Sequence, residues 1–121
     1  MRVLMLNYEF PPLGGGAANA TKYILYEFAD TKELEVDLVT SSEDSYKEQE
    51  YSDNINIYKM DVKKEQYHHW KQSEIISYSL KAYNKARSLR KKEDYDLIHA
   101  FFTIPCGAIP YLGRFDEPFI V

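Results

Sequence analysis

An apolar run, RVLMLN (Arg2 to Asn7), leads into FPPLGGG and then into a stretch with helical periodicity. A short run that is apolar at almost every position reads as a strand covered on both faces, which requires layers on either side of a sheet. After the glycines, Ala20, Ile24 and Phe28 recur at i, i+4 and i+8, with Leu25 and Ala29 on the adjoining edge. That spacing predicts a helix from about Ala18 to Ala29 with one buried stripe. Buried strand, glycine turn and amphipathic helix together make the opening of a parallel crossover unit.

The rest of the chain repeats the alternation. EVDLVT (Glu35 to Thr40) is a second strand, with Val36, Leu38 and Thr40 sharing a face. Ser41 to Asn54 has no periodic apolar pattern and reads as a long mobile loop. INIYKM (Ile55 to Met60) alternates as a third strand near the sheet edge. From Trp70 to about Lys92 a long helix is predicted, with Ile76, Leu80 and Tyr83 as one seam and Ala82, Ala86 and Leu89 extending it. Its cationic end, RSLRKKED, suits the C-terminal pole of a helix dipole. DLIHAFF (Asp96 to Phe102) is a further buried strand; Pro105 opens a short helix that Gly113 closes and Pro110 shortens. PFIV (Pro118 to Val121) begins a fifth strand. The expected fold is an α/β Rossmann-like three-layer sandwich with a mostly parallel sheet, in one domain of 121 residues. An ending inside an apolar strand suggests the N-terminal piece of something longer.

Charge narrows the function. Residues 1–60 carry 5 basic and 11 acidic side chains, residues 61–121 carry 10 and 8, and the net charge is -4. An acidic first half argues against nucleic acid as a partner, which demands a basic surface. No apolar run approaches the ~20 residues that cross a bilayer, and a lone Cys106 forms no internal disulfide, so a cytoplasmic location is expected. Cys106 reads as a packing residue.

In an open parallel sheet, ligands bind beyond the carboxyl ends of the strands, and the first strand-to-helix turn is a favoured place. Glycines there let the backbone adopt positive φ and let a ligand approach the amides, while the helix N-terminus favours a phosphate or a sugar hydroxyl. The competing reading is a plain chain turn. Gly14-Gly15-Gly16 followed by Ala17-Ala18-Asn19 satisfies neither the dinucleotide-binding G-x-G-x-x-G nor the P-loop pattern.

Two blocks, MRVLMLNYEFPPLGGGAANATKYILYEFA and YDLIHAFFTIPCGAIPYLGRFDEPFIV, resemble in that order the N-terminal domain of GT-B fold glycosyltransferases of the retaining family four group. The resemblance implies an N-terminal, acceptor-side domain over residues 1–121. It also implies a C-terminal donor-binding domain that this chain lacks, and a full enzyme moving a sugar from a nucleotide-sugar donor to an acceptor without a catalytic metal. Gly15 and Gly16 match the family's Gly-Gly loop beside the donor phosphates, and Gly14 extends it. His99 matches the first position of the His-x-His pattern after the apolar strand, near the reacting sugar, while Phe101 takes the second. Some relatives act on lipid-linked acceptors, so a sugar or lipid-linked acceptor is implied.

Independently of the resemblance, His99 ends an apolar strand with a side chain suited to acid-base or hydrogen-bonding work. It can equally be a core histidine satisfied by backbone groups. Glu9 and Asn19 flank the glycines and are candidates for acceptor hydroxyls, or for helix capping. His68 and His69 are adjacent and poorly placed to chelate a metal. Lys63 to Lys71 mixes cations with Tyr67 and Trp70, a composition that can rest on an anionic membrane surface or form a solvated segment. Two rivals remain: a non-catalytic Rossmann-like ligand-binding module, flavodoxin-like or receiver-like, and a partner-binding domain using the long loop and the basic helix. LMLNYEF and IYKMDV lack the acidic set of a receiver.

Overall fold

The computed structural model describes all residues, 1–121. In chain order the elements are β1 (Arg2–Leu6), α1 (Gly16–Ala29), β2 (Glu35–Ser42), β3 (Lys47–Ser52), β4 (Ile55–Asp61), α2 (Gln72–Lys92) and β5 (Leu97–Ala100). A wide helical turn, Phe102–Gly107, then leads into α3 (Ala108–Leu112) and β6 (Phe119–Ile120). One six-stranded sheet runs in the order β3-β4-β2-β1-β5-β6. Every pairing is parallel except β3 against β4.

The all-apolar run of β1 has its reason in this order. It lies between β2 and β5, with Met5 in register with Leu38 on one side and His99 on the other. Alternate residues enter two cores. Leu4 and Leu6 join Val39, Ile98 and Ala100 under α2, while Val3 and Met5 join Val36, Leu38, Ile55 and Ile57 under α1. The Rossmann-like expectation for the sheet and layers holds.

Three local expectations do not. Lys47–Ser52, expected inside a mobile loop, is an antiparallel edge strand. Its exposed residues, Glu48, Gln49 and Glu50, are polar or charged, which protects an edge from further pairing and removes the apolar alternation that would reveal it. In α1 the fully buried stripe is Ala18, Thr21 and Leu25, with Ile24 and Phe28 half-buried and Ala20 exposed. Thr21 turns inward because its hydroxyl oxygen accepts from the buried Asn7 amide at 2.7 Å. In α2 the inner seam is Glu74, Tyr78, Ala82, Ala86 and Leu89, whereas Ile76 (59% exposed) and Leu80 (63%) face outward. The two alanines let the helix sit close on the sheet, and Tyr78 reaches through to donate to Val39 O at 2.9 Å. Ala82, Ala86 and Leu89 are as expected; Ile76 and Leu80 instead line an apolar groove of 480 Å³ against α3.

Asp37 is the one fully buried acid of β2. Its carboxylate accepts from Tyr95 Oη at 2.6 Å, from Arg2 Nη2 at 3.1 Å and from Asn56 Nδ2 at 3.3 Å. Arg2 opens β1, so this network belongs to the amino-terminal half of the sheet, opposite the edge where ligands bind in such folds.

Candidate functional site: the glycine loop and the edge it shares with His99

The carboxyl end of β1 delivers Asn7, Tyr8 and Glu9 into the glycine loop. Asn7 is fully buried and fastens the corner. Its amide reaches Thr21 Oγ1 in α1, and its Oδ1 accepts from the Glu9 backbone N–H at 3.0 Å. A polar residue closing an apolar strand was the available signal for this role, and sequence reading passed over it.

Gly14 has φ of +80°, a conformation that glycine adopts without penalty. It is also hemmed in: a Cβ there would lie 2.5 Å from Glu9 Cδ. Glu9 therefore packs its side chain against Gly14. Gly15 and Gly16 are the opposite case, with nothing within 4 Å of an added Cβ. Gly15 caps α1 with no side-chain partner, and the amides of Gly15, Gly16, Ala17 and Ala18 find no acceptor within the chain. These four N–H groups at the positive pole of a 14-residue helix are without an acceptor, and the first two, at Gly15 and Gly16, are exposed, an arrangement that attracts anions. Asn19 is exposed in the first turn, its own N–H bonded back to Gly15 O at 3.1 Å.

His99 stands next to β1, level with Met5 and on the α1 face of β5. Its ring stacks on Phe101 with centroids 4.4 Å apart and planes at 22°. Burial lowers its pKa and holds the imidazole neutral; no hydrogen bond contributes. The reading of His99 as a core histidine satisfied by backbone groups is not what the fold displays. Phe101, at the second position of the His-x-His pattern, serves as its stacking partner.

Past Phe101 the chain changes face. Phe102 has φ of +75° and is 41% exposed, and its ring lies 5.2 Å from that of Tyr8. Tyr8 also meets Trp70 edge-on at 4.8 Å. An aromatic cluster thus lines the α2 side of the same edge. Its Trp70 comes from the segment between β4 and α2, which the sequence offered as a candidate membrane-facing stretch.

That segment is a folded strap. Lys64 Nζ and the Glu74 carboxylate form a 2.9 Å ion pair with both side chains buried. Lys64 Nζ also lies 4.1 Å from the Trp70 ring centroid. Glu74 accepts from the Lys71 N–H at 2.8 Å and the Glu65 N–H at 3.1 Å. Burial opposes its ionisation, but these hydrogen bonds and Lys64 outweigh burial and hold the pKa below the ordinary glutamate value. From the strap, Tyr67 O accepts from Gly14 N–H at 2.8 Å and His68 Nδ1 lies 2.8 Å from Gly14 O. His68 and His69 are thus parts of a strap that closes on the glycine loop. Trp70 and Lys64, read above as candidate membrane-facing groups, are packed inside it.

Cys106 is buried beside Tyr78, and burial pushes its thiol up to about 12, in keeping with packing.

The family model described as glycosyl transferase 4-like matches residues 16–115. The chain belongs to this family. The match begins at the helix that the glycine loop opens and runs through β5 and α3. A comparison with curated proteins gives no match. Among solved structures, the fold is similar to sucrose-phosphate synthase from Thermosynechococcus elongatus, at 16% identity and a TM-score of 0.73, over 98% of this chain and 31% of that one. A second chain of sucrose-phosphate synthase from that organism is similar at 14% identity and a TM-score of 0.65, over 98% of this chain and 60% of the other. The chain therefore spans about a third of the first of these. At such identity the likeness is one of fold. No helix is long and apolar enough to cross a membrane.

Proposed function

We propose that this chain is the acceptor-side, N-terminal domain of a glycosyltransferase that moves a sugar from a nucleotide-sugar donor to a sugar or lipid-linked acceptor, and that it works in the cytoplasm. A separate donor-binding domain completes the enzyme. The observation that carries the reading is the pair of open, unpaired amides at Gly15 and Gly16, at the carboxyl edge of the central strand, in a glycosyl transferase 4-like chain.

In this reading, breaking the bond between the sugar and the diphosphate leaves negative charge on the departing phosphate. Fixed N–H groups aimed at that charge stabilise it without having to reorganise, which is where such donors contribute most to rate. They supply the stabilisation in place of a metal ion. Gly14 sets the backbone so that Gly15 and Gly16 stay uncovered, and the missing side chains at those two positions leave space for the phosphate. His99, neutral and half-buried, donates or accepts a hydrogen bond at the transferring sugar, its ring held flat against Phe101. Glu9 and the exposed Asn19 side chain meet acceptor hydroxyls at the rim of the loop.

Isothermal titration of the chain, and of the whole gene product that carries it, with UDP-, GDP- and ADP-sugars tests this. Donor binding by the whole product, together with transfer to an acceptor, is expected. Neither binding nor transfer across the panel refutes it.

A further inference from the structure

We propose that His68 is a positioning residue of the glycine loop: its ring fixes Gly14, and through Gly14 it aims the open amides of Gly15 and Gly16 at the ligand. The inference rests on the reading of that loop as an anion cradle.

Gly14 O can only accept, so the 2.8 Å contact requires a proton on His68 Nδ1. The neighbouring Tyr67 O takes the Gly14 N–H. Both backbone polar groups of Gly14 are thereby tied to a segment 54 residues further along the chain. Gly14 is the joint that most needs tying. It sits at φ +80° with no side chain, so its torsions are free unless the surroundings fix them, and they set the direction of the two amides that follow.

The strap is rigid enough to act as the anchor. The Glu65 and Lys71 N–H groups bond one carboxylate, that of Glu74, which closes the segment between them, and a bridge between Gln66 and His69 pairs its two arms. Tyr67 and His68 form the tip of this closed loop. The Lys64–Glu74 pair and Trp70 pin its base to the protein. His68 itself is exposed and makes its one side-chain hydrogen bond to the glycine loop. Removing that bond therefore disturbs the loop and leaves the core untouched.

Asparagine can present an N–H donor in place of Nδ1, whereas phenylalanine keeps the ring and loses the donor. The probe is inorganic pyrophosphate, the part common to all nucleoside diphosphates, titrated into the ¹⁵N-labelled chain while the Gly15 and Gly16 amide resonances are followed. Wild type is expected to show saturable shifts at both. His68→Phe is expected to raise the Kd about 5-fold, the size of one net hydrogen bond, and His68→Asn to restore it to within about 2-fold. His69→Phe, with no side-chain tie to the loop, is expected to bind as wild type. Long-range ¹H–¹⁵N spectra of the unliganded wild type are expected to show the Nδ1–H tautomer at His68. A His68→Phe variant that binds like wild type, an Asn variant no better than Phe, or the Nε2–H tautomer overturns the inference and leaves the cradle standing. A wild type with no response at either glycine overturns the cradle and the inference together.

Discussion

Alanine at Gly14 and alanine at Gly16 should do opposite things to the protein, because the two glycines are there for different reasons. At Gly16 the added methyl meets nothing within 4 Å. Residue 16 begins α1, where alanine is preferred to glycine, by up to about 1 kcal/mol in a helix interior and by part of that in the first turn. Gly16→Ala is therefore expected to raise stability by about 0.3–0.5 kcal/mol. The same methyl stands in the space an anion must enter to reach the amides. Losing one charge-assisted hydrogen bond, about 1.5–3 kcal/mol, weakens pyrophosphate binding about 10-fold or more. Gly14→Ala places an L-residue at φ +80°, about 1–2 kcal/mol, and drives its Cβ to within 2.7 Å of the Glu9 Cβ, which is anchored to the backbone. The expected loss is about 2–3 kcal/mol. Urea denaturation followed by circular dichroism reads the stabilities, and the amide-resolved titration reads the affinities. The reasoning fails if Gly16→Ala binds pyrophosphate as tightly as wild type, or if Gly14→Ala unfolds at the wild-type urea concentration.

Three further outcomes follow from buried groups. Glu74→Gln removes the counter-charge of the Lys64 ammonium, which keeps the His69 carbonyl and the Trp70 face, and is expected to cost about 1–3 kcal/mol in urea unfolding. Because the Glu74 pKa is lowered on folding, its contribution is complete above the unfolded value near about 4.3 and disappears as pH falls through the lower folded value; the acid limb of a stability-pH curve should flatten in the variant. Cys106, with its thiol pushed up to about 12, is expected to resist a thiol-specific reagent at neutral pH until the chain is unfolded, as absorbance would record. His99 is expected to titrate by NMR below the ordinary histidine value of about 6.5, its pKa lowered by burial. The unfolded chain binds that proton more readily, so stability should rise with pH across the interval between the two values, and His99→Phe should remove that slope.

Much of the fold was legible because it rests on local rules. Continuous apolar runs at Arg2–Leu6 and Leu97–Ala100 mark interior parallel strands, and the glycine corner marks the first crossover. The edge strand Lys47–Ser52 escaped notice for the converse reason: a strand with solvent on both faces carries no apolar signature, and it exists through its hydrogen bonds to β4. Helix faces were harder still. Ile76 and Leu80 make the stronger apolar stripe of α2, but the side that packs is the one with alanines small enough for close approach and a glutamate required by the strap.

The sequence by itself determined the alternation of strands and helices, the place of the glycine loop at the first corner, and the presence of a histidine at the end of a later strand. These follow from periodicity and backbone freedom, which act within a few residues. The tertiary structure alone decided what surrounds the loop. Tyr67, His68 and Trp70 reach that edge from a strap held by a buried Lys64–Glu74 pair, and Asn7 turns inward to support it. Contacts between residues more than fifty positions apart leave no periodic trace, because they depend on where the sheet order sets each strand end.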